Sequence, residues 1–283
     1  AHDVLGIEFS RIKLVHGDTD RTPYSSGTYA SRSLVMSGGA VASGCKQLLP
    51  RMRIIAAHLL KADDAASLEF REGRFHHGQS SVSIADIAEA WYLKPHLLPK
   101  DVHTGGLEIS VGYKTKVDTG AFTYCSQAAV VAVDPQTGQI EILDYVVVED
   151  CGVMVNPLIV EGQCIGGIAQ GIGTAFYEET PYDEFGQPLA STLADYVMPG
   201  PTEVPNIRFD HFETPSPHTE FGAKGVGEGG GIAPPAVLFG AVNNALRGLG
   251  VEMTQTPLTP HRLLTAIEAA RHTGEGSSTG TAG

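Results

Sequence analysis

Two β-branched runs, Ser126 to Val133 and Gln139 to Val148, flank the stretch Asp134-Pro135-Gln136-Thr137-Gly138. Turn residues closed by a glycine between two such runs specify a hairpin. Asn156-Pro157 follows shortly after. An Asn ahead of a Pro has the form of an N-cap followed by proline at the first helical position. A helix is therefore expected from there to about Phe176. Hairpin followed by helix restricts this half of the chain to an α/β arrangement.

The first half repeats the theme more weakly. Arg11 to Val15 alternates charged and apolar residues and reads as a short strand. A turn-rich loop follows from Gly17 to Thr28. Ser33 to Leu60 has a helical pattern, which Pro50 is expected to kink or split. Leu68 to Phe75 reads as a hairpin around Glu72-Gly73, and Ser83 with Asp86 has the form of a capping box opening a helix to about Tyr92. Beyond the second-half hairpin, Ile207 to Phe212 reads as a strand, Pro215 to Gly231 as a long Gly-rich loop, and Pro234 to Leu246 and Pro260 to Arg271 as helices. The expected fold is mixed α/β in two lobes, each a small mixed sheet with hairpins backed by helices. Residues 1–100 form the first lobe, 101–271 the second with the Gly-rich loop, and 272–283 a flexible tail.

Composition narrows the function classes. The chain has 283 residues, 42% hydrophobic and 18% charged, with 34 glycines, which suits a compact, loop-rich enzyme domain. A net charge of −13 makes a poor partner for a phosphate backbone and argues against nucleic acid. Four widely spaced cysteines without a CxxC form neither a zinc site nor a disulfide framework. His76-His77 and His16 lack metal-ligand spacing, so no metal ligand is assigned. The longest apolar runs are too short to span a bilayer. No signal-peptide pattern is seen, and the expected compartment is the cytoplasm, with reduced thiols. The opening Ala-His-Asp-Val-Leu-Gly lacks Met and reads like the end of an amphipathic helix, as a fragment or a split polypeptide would.

Three segments carry candidate chemistry. In Gly222-Ala-Lys-Gly-Val-Gly-Glu-Gly-Gly-Gly231, a single carboxylate, Glu228, sits in a backbone that can approach a ligand closely. Burial there would raise its pKa and suit a general base; a solvated surface turn is the alternative. The formal GxGxxG at Gly225 to Gly230 follows prolines rather than an apolar strand and puts a carboxylate where a pyrophosphate would sit, so a dinucleotide fingerprint is rejected. On the helix after Asn156, Gln163 and Gln170 share a face with Gly166 and Gly167, which serves either a ligand or close helix packing. Gly27-Thr-Tyr-Ala-Ser-Arg-Ser33 precedes a helix and is either an anion site or ordinary N-capping by Ser31 or Ser33.

In this order, GTYASRS, VEDCGVMVNP (Val148 to Pro157), EGQCIGGIAQGIG (Glu161 to Gly173) and GAKGVGEGG resemble the molybdenum hydroxylases, the xanthine dehydrogenase and aldehyde oxidase family. The resemblance runs from about Leu5 to Arg271. Pro215-Ser216-Pro217 ahead of the glycines is closer in style to the carbon-monoxide-dehydrogenase-like and N-heterocycle-oxidising branches.

The resemblance implies that Glu228 is the catalytic base, taking the proton from a molybdenum-bound hydroxide whose oxygen attacks an electron-poor carbon of an aldehyde or N-heterocycle. It implies molybdopterin, in its cytosine dinucleotide form, held by Ala30, Ser31, Ser33, Gln170 and Gly227. It places the iron–sulfur and FAD groups on partner subunits. A GQG segment and a first cofactor-binding lobe that the family carries upstream are absent from this sequence. The expected partners are therefore that lobe or subunit, the electron-transfer subunits and a small-molecule substrate. The alternative is a cofactor-free fragment or structural subunit without activity of its own.

Overall fold

The computed structural model describes residues 1–117 and 122–278. It separates into two compact units, Ala1–Thr28 with Ser33–Asp118, and Tyr29–Arg32 with Thr119–Gly283.

In the first unit, α1 (His2–Leu5) ends on Gly6 in the left-handed conformation and buries Leu5. The strand expected at Arg11 to Val15 does not form. A 3₁₀ turn, Phe9–Arg11, takes its start, and Leu14 is 76% exposed. Alternation alone does not make a strand where no neighbouring strand supplies the ladder. The long helix opens as a π-helical turn, Leu34–Gly38, and continues as α2 (Gly39–Leu60). α2 runs through Pro50 as one element, so the expected split is not found. Proline removes one helical hydrogen bond, and burial of Met52, Ile55 and Ala56 beyond it holds the helix. β1 (Glu69–Arg71), β2 (Arg74–His77) and β3 (Ser80–Ser83) form an antiparallel sheet in that order. Ser83 and Asp86 make both bonds of a capping box at the start of α3 (Ile84–Leu93). Phe75, Val82 and Ile87 pack with α2 to form this unit's core.

In the second unit, β4 (Tyr124–Val133) and β5 (Ile140–Asp150) form the expected hairpin. Asp134 holds its turn by accepting from the Gln136 N–H and the Thr137 hydroxyl, both at 2.8 Å. α4 (Pro157–Phe176) starts where the sequence says, with the Asn156 side chain accepting from Ile159 N. β6 (Ile207–His211) lies parallel to β5, a pairing that requires a crossover, and α4 lies within it. Next come the short α5 (Gly229–Ile232), α6 (Pro234–Leu246) and α7 (Pro260–Ser278). α7 extends past Arg271, and the part of the expected tail at residues 279–283 lies outside the described residues.

Period-two alternation gives the sheet its inner face. Tyr145 and Val147 of β5 point inward and pack with Ile168 and Ile172 of α4, Leu238 and Val242 of α6, and Leu263 and Ile267 of α7. At the end of β5 the same face presents Glu149 instead of a hydrocarbon. No described helix is long and apolar enough to cross a membrane. Ile168 has no exposed surface. Ile168→Ala is expected to destabilise the protein by about 2–5 kcal/mol; urea unfolding should show a lower midpoint with an unchanged slope.

Candidate functional site

The Gly-rich loop is tied to the strand that precedes α4. Gly152 and Ala223 form an isolated bridge, and Lys224 N donates to Cys151 O at 2.7 Å. Gly152 has φ 69, and a Cβ there would stand 2.2 Å from the Gly222 carbonyl oxygen, so only glycine permits this approach. Beneath the bridge, Lys224 Nζ lies 3.1 Å from Asp150 Oδ1, with side-chain exposures of 7% and 13%. The same oxygen accepts from Gly152 N at 2.9 Å and Thr214 N at 3.1 Å. Burial pushes the Asp150 carboxyl up, but the bonds from Thr214, Gly152 and Lys224 outweigh it and bring it down to about 2. Asp150 thus anchors the loop.

Past Gly225 the chain runs along α4. A Cβ on Gly227 would meet Ser31 Oγ at 3.6 Å and Gln163 Nε2 at 3.7 Å. A Cβ on Gly230 would lie 2.1 Å from the Cys164 carbonyl, and one on Gly167 2.7 Å from Gly231 N. A Cβ on Gly171 would clash with Pro234. Residues 163, 167 and 171 lie one above another on a helix face, and successive parts of the loop meet them in turn. Glycine on both sides lets two backbones touch.

Glu228 comes out of this packing exposed. The burial expected of its glycine cage is not found, because those glycines are used against α4 and Glu149. Ser31 holds Glu228 instead. Its hydroxyl donates to Glu228 Oε2 at 2.8 Å and accepts from Glu228 N at 2.9 Å. Ala30 (φ 52) and Ser31 (φ 55) are both left-handed, a conformation non-glycine residues adopt at about 1–2 kcal/mol each. Beside them the Arg32 guanidinium lies over the Tyr29 ring and bonds its hydroxyl. Neither serine side chain caps a helix: Ser33 stands at the N-cap of the π-helical turn, but its Oγ donates to Thr28 Oγ1 at 2.9 Å.

Of the predicted site residues, Ser31, Gly227 and Glu228 are brought together, with Ala30 adjacent in the chain. Gln170 is exposed, and its carbonyl accepts from Thr174. The glutamine beside Gly227 is Gln163, roughly 10 Å back along the axis at seven residues' rise. Spacing made the two glutamines equivalent; only the register of the loop on α4 separates them.

A polar layer lies behind the loop. Gln127 Nε2 donates to Gly230 O at 3.1 Å, Gln127 Oε1 accepts from Tyr145 Oη at 2.6 Å, and Cys125 Sγ lies 3.3 Å from Gly229 O. Thr123 Oγ1 bonds Glu149 Oε1 at 2.6 Å. Burial, and then the neighbouring Glu149, push the thiols of Cys151 to about 11 and Cys164 to about 12. Around exposed Ala30 and Gln163 and half-buried Ser31 and Gly227, side-chain and backbone polar groups suit hydrogen bonding to a polar organic cofactor. Among the described residues no three His, Cys, Asp or Glu side chains converge on a metal position.

The Lys224–Asp150 pair yields a stability test. Lys224→Met is expected to cost about 3–5 kcal/mol by leaving the carboxylate uncompensated, read by urea unfolding at neutral pH. Asp150 titrates lower in the folded chain than its ordinary 3.8. Its contribution is therefore complete above about pH 4 and is lost as pH falls toward 2. The acid limb of stability against pH should be shallower in Asp150→Asn.

The molybdopterin cofactor-binding domain family matches residues 1–205. The large subunit of nicotine 6-hydroxylase from Paenarthrobacter nicotinovorans is 36% identical over 270 residues, covering 95% of this chain and 33% of that protein. The large chain of carbon monoxide dehydrogenase from Hydrogenophaga pseudoflava is 34% identical over 93% of this chain and 32% of its own length. Among solved structures, Cu,Mo-CO dehydrogenase superposes with a TM-score of 0.86 at 31% identity, over 95% of this chain and 33% of that one. Quinoline 2-oxidoreductase from Pseudomonas putida 86 gives 0.80 at 36% identity, over 88% and 32%. The chain spans about one third of the length of these relatives. Motif order, fold and this family match agree: the chain belongs to the molybdopterin cofactor-binding domain family, as found in the large subunits of carbon monoxide dehydrogenases, xanthine dehydrogenases and nicotine hydroxylases.

Proposed function

We propose that this chain is the cofactor-binding, base-bearing part of a molybdenum-dependent oxidoreductase that hydroxylates an electron-poor carbon with water as the oxygen source. The observation that carries the reading is the double bond-pairing of Ser31 with Glu228, across 197 residues of sequence. A carboxylate fixed through its own backbone and one of its oxygens has a defined direction. Among the described residues no ion pair includes it. Oε2 accepts from Ser31, which leaves Oε1 to take a proton from the oxygen nucleophile.

Molybdopterin, when bound, supplies the redox metal that accepts the substrate's two electrons. In this chain Ala30, Ser31 and Ser33 would hold the pterin or its phosphate tail through backbone and hydroxyl groups, with Gln170 and Gly227 as further contacts and Gln163 added on position. The cytosine dinucleotide form, iron–sulfur and FAD groups on partner subunits, and an upstream first lobe complete the proposed assembly. Nicotine and quinoline, named in two of the relatives, contain aromatic nitrogen rings, and they favour an N-heterocycle as the substrate class.

The test separates base from binder. In the assembled enzyme, Glu228→Gln keeps shape and most hydrogen bonds but cannot take a proton. Turnover is expected to fall by at least about 10²–10⁴-fold, with molybdenum and pterin content unchanged. Gln170→Ala and Gln163→Ala should lower cofactor content first. Near-normal turnover in Glu228→Gln, or loss of its molybdenum, would refute the assignment. Purified full-length protein that folds but never loads cofactor would favour a structural subunit.

A further inference from the structure

Glu149 is a carboxyl group with 1% exposure, and neither the base nor the cofactor contacts make use of it. It ends the inward stripe of β5 after Tyr145 and Val147, opposite Cys125 of β4. Its head lies flat under the Gly-rich loop. A Cβ on Gly229 would stand 2.4 Å from Oε1 and 3.0 Å from Cδ and Oε2. None of the ion pairs among the described residues includes it; the nearby Lys224 ammonium is paired with Asp150.

Its contacts say which form it takes. Thr123 Oγ1 stands 2.6 Å from Glu149 Oε1 and 3.0 Å from the Asp150 carbonyl oxygen. A hydroxyl has one hydrogen, and the carbonyl has none to give. Both contacts become full hydrogen bonds when Thr123 donates to the carbonyl and a proton on Glu149 Oε1 is donated to Thr123. Cys164 Sγ, 4.0 Å from Oε2, adds only a weak contact. We propose that Glu149 is held as a neutral carboxylic acid and is a positioning residue for Glu228, fixing from beneath the backbone at Gly229 on which the base stands.

The surroundings agree. Burial drives Glu149 toward its neutral form, against the Thr123 bond and with help from the Asp150 charge. The other titratable groups facing it, Cys125, Cys151 and Cys164, are all raised and so neutral at pH 7. A neutral acid braces the loop without placing a second negative charge behind Glu228, where it would make the base harder to ionise. Cys125 and Gln127 hold the next two carbonyls, so the loop rests on one continuous polar floor.

The inference rests on Glu228 being the base, and two independent readouts separate the failures. Isotope-edited infrared spectra of the full-length protein at pH 7 are expected to show a protonated carboxyl band that shifts in deuterium oxide and is missing from Glu149→Gln. This arm needs no activity, and absence of such a band overturns the neutral acid. In the assembled enzyme, Glu149→Ala is expected to lower kcat about 10²-fold through misplacement of the base, with KM little changed. Glu149→Gln, a neutral donor of nearly the same shape, is expected to rescue most of that loss and return the pH profile of kcat to its original position. Should the alanine variant not fold, Glu149→Asp, which retracts the acid by one methylene, takes its place. Normal kcat in the alanine or aspartate variant overturns the positioning role, and a glutamine variant as impaired as these overturns the neutral donor. Near-normal turnover in Glu228→Gln sinks the underlying reading, whatever Glu149 does.

Discussion

A loop of glycines has almost no rigidity of its own, because each glycine gives up more conformational freedom on folding than any other residue. The order of residues 225–231 must come from what they touch. Here it comes from backbone lying directly on backbone: Gly230 against the carbonyl of Cys164, and Gly231 against Gly167. One methyl group at Gly230 or Gly167 would push the surfaces apart. The helix had to supply small residues at the matching turns, which explains why α4 spends glycines where better helix formers would propagate it. The apolar stripe on its other side, Ile168, Ile172 and Phe176, makes up the difference by burial.

Much of this could be read from the sequence. The β4–β5 hairpin was visible because β-branched alternation and the Asp134 to Gly138 turn reinforce each other. The start of α4 was visible because Asn156-Pro157 is a local signal needing no tertiary context. The segment around Arg11 misled because alternation describes one strand and says nothing of a partner. Pro50 does not split α2 because propensity gives a cost, and the burial of α2 exceeds it.

Ser31, Gly227 and Glu228, which the structure brings together, were each named from the sequence, but their wiring was not. The Gly-rich motif pointed to Glu228, yet its tie to Ser31 is a contact between distant segments that no local rule contains. Gln163 was hidden by its equivalence with Gln170. Glu149 was visible only as a charged residue on the inward side of an alternating strand, a misfit that invites a functional explanation.

The separation of Ser31 and Glu228 bears on how the molecule matures. Closing a loop of 197 residues costs several kcal/mol of chain entropy, on the order of 4–5 by the logarithmic rule. Its two hydrogen bonds, one to a charged group and one from a backbone N–H, return only about 2–4.5 kcal/mol together. The contact therefore cannot lead folding and waits until hairpin, helix and loop have already shortened the distance for other reasons. Local elements close in microseconds, whereas this one belongs to the final consolidation. The Glu228 carboxylate is thus aimed last, in a chain whose early and late segments are both in place, and a partly folded molecule exposes it with no fixed direction.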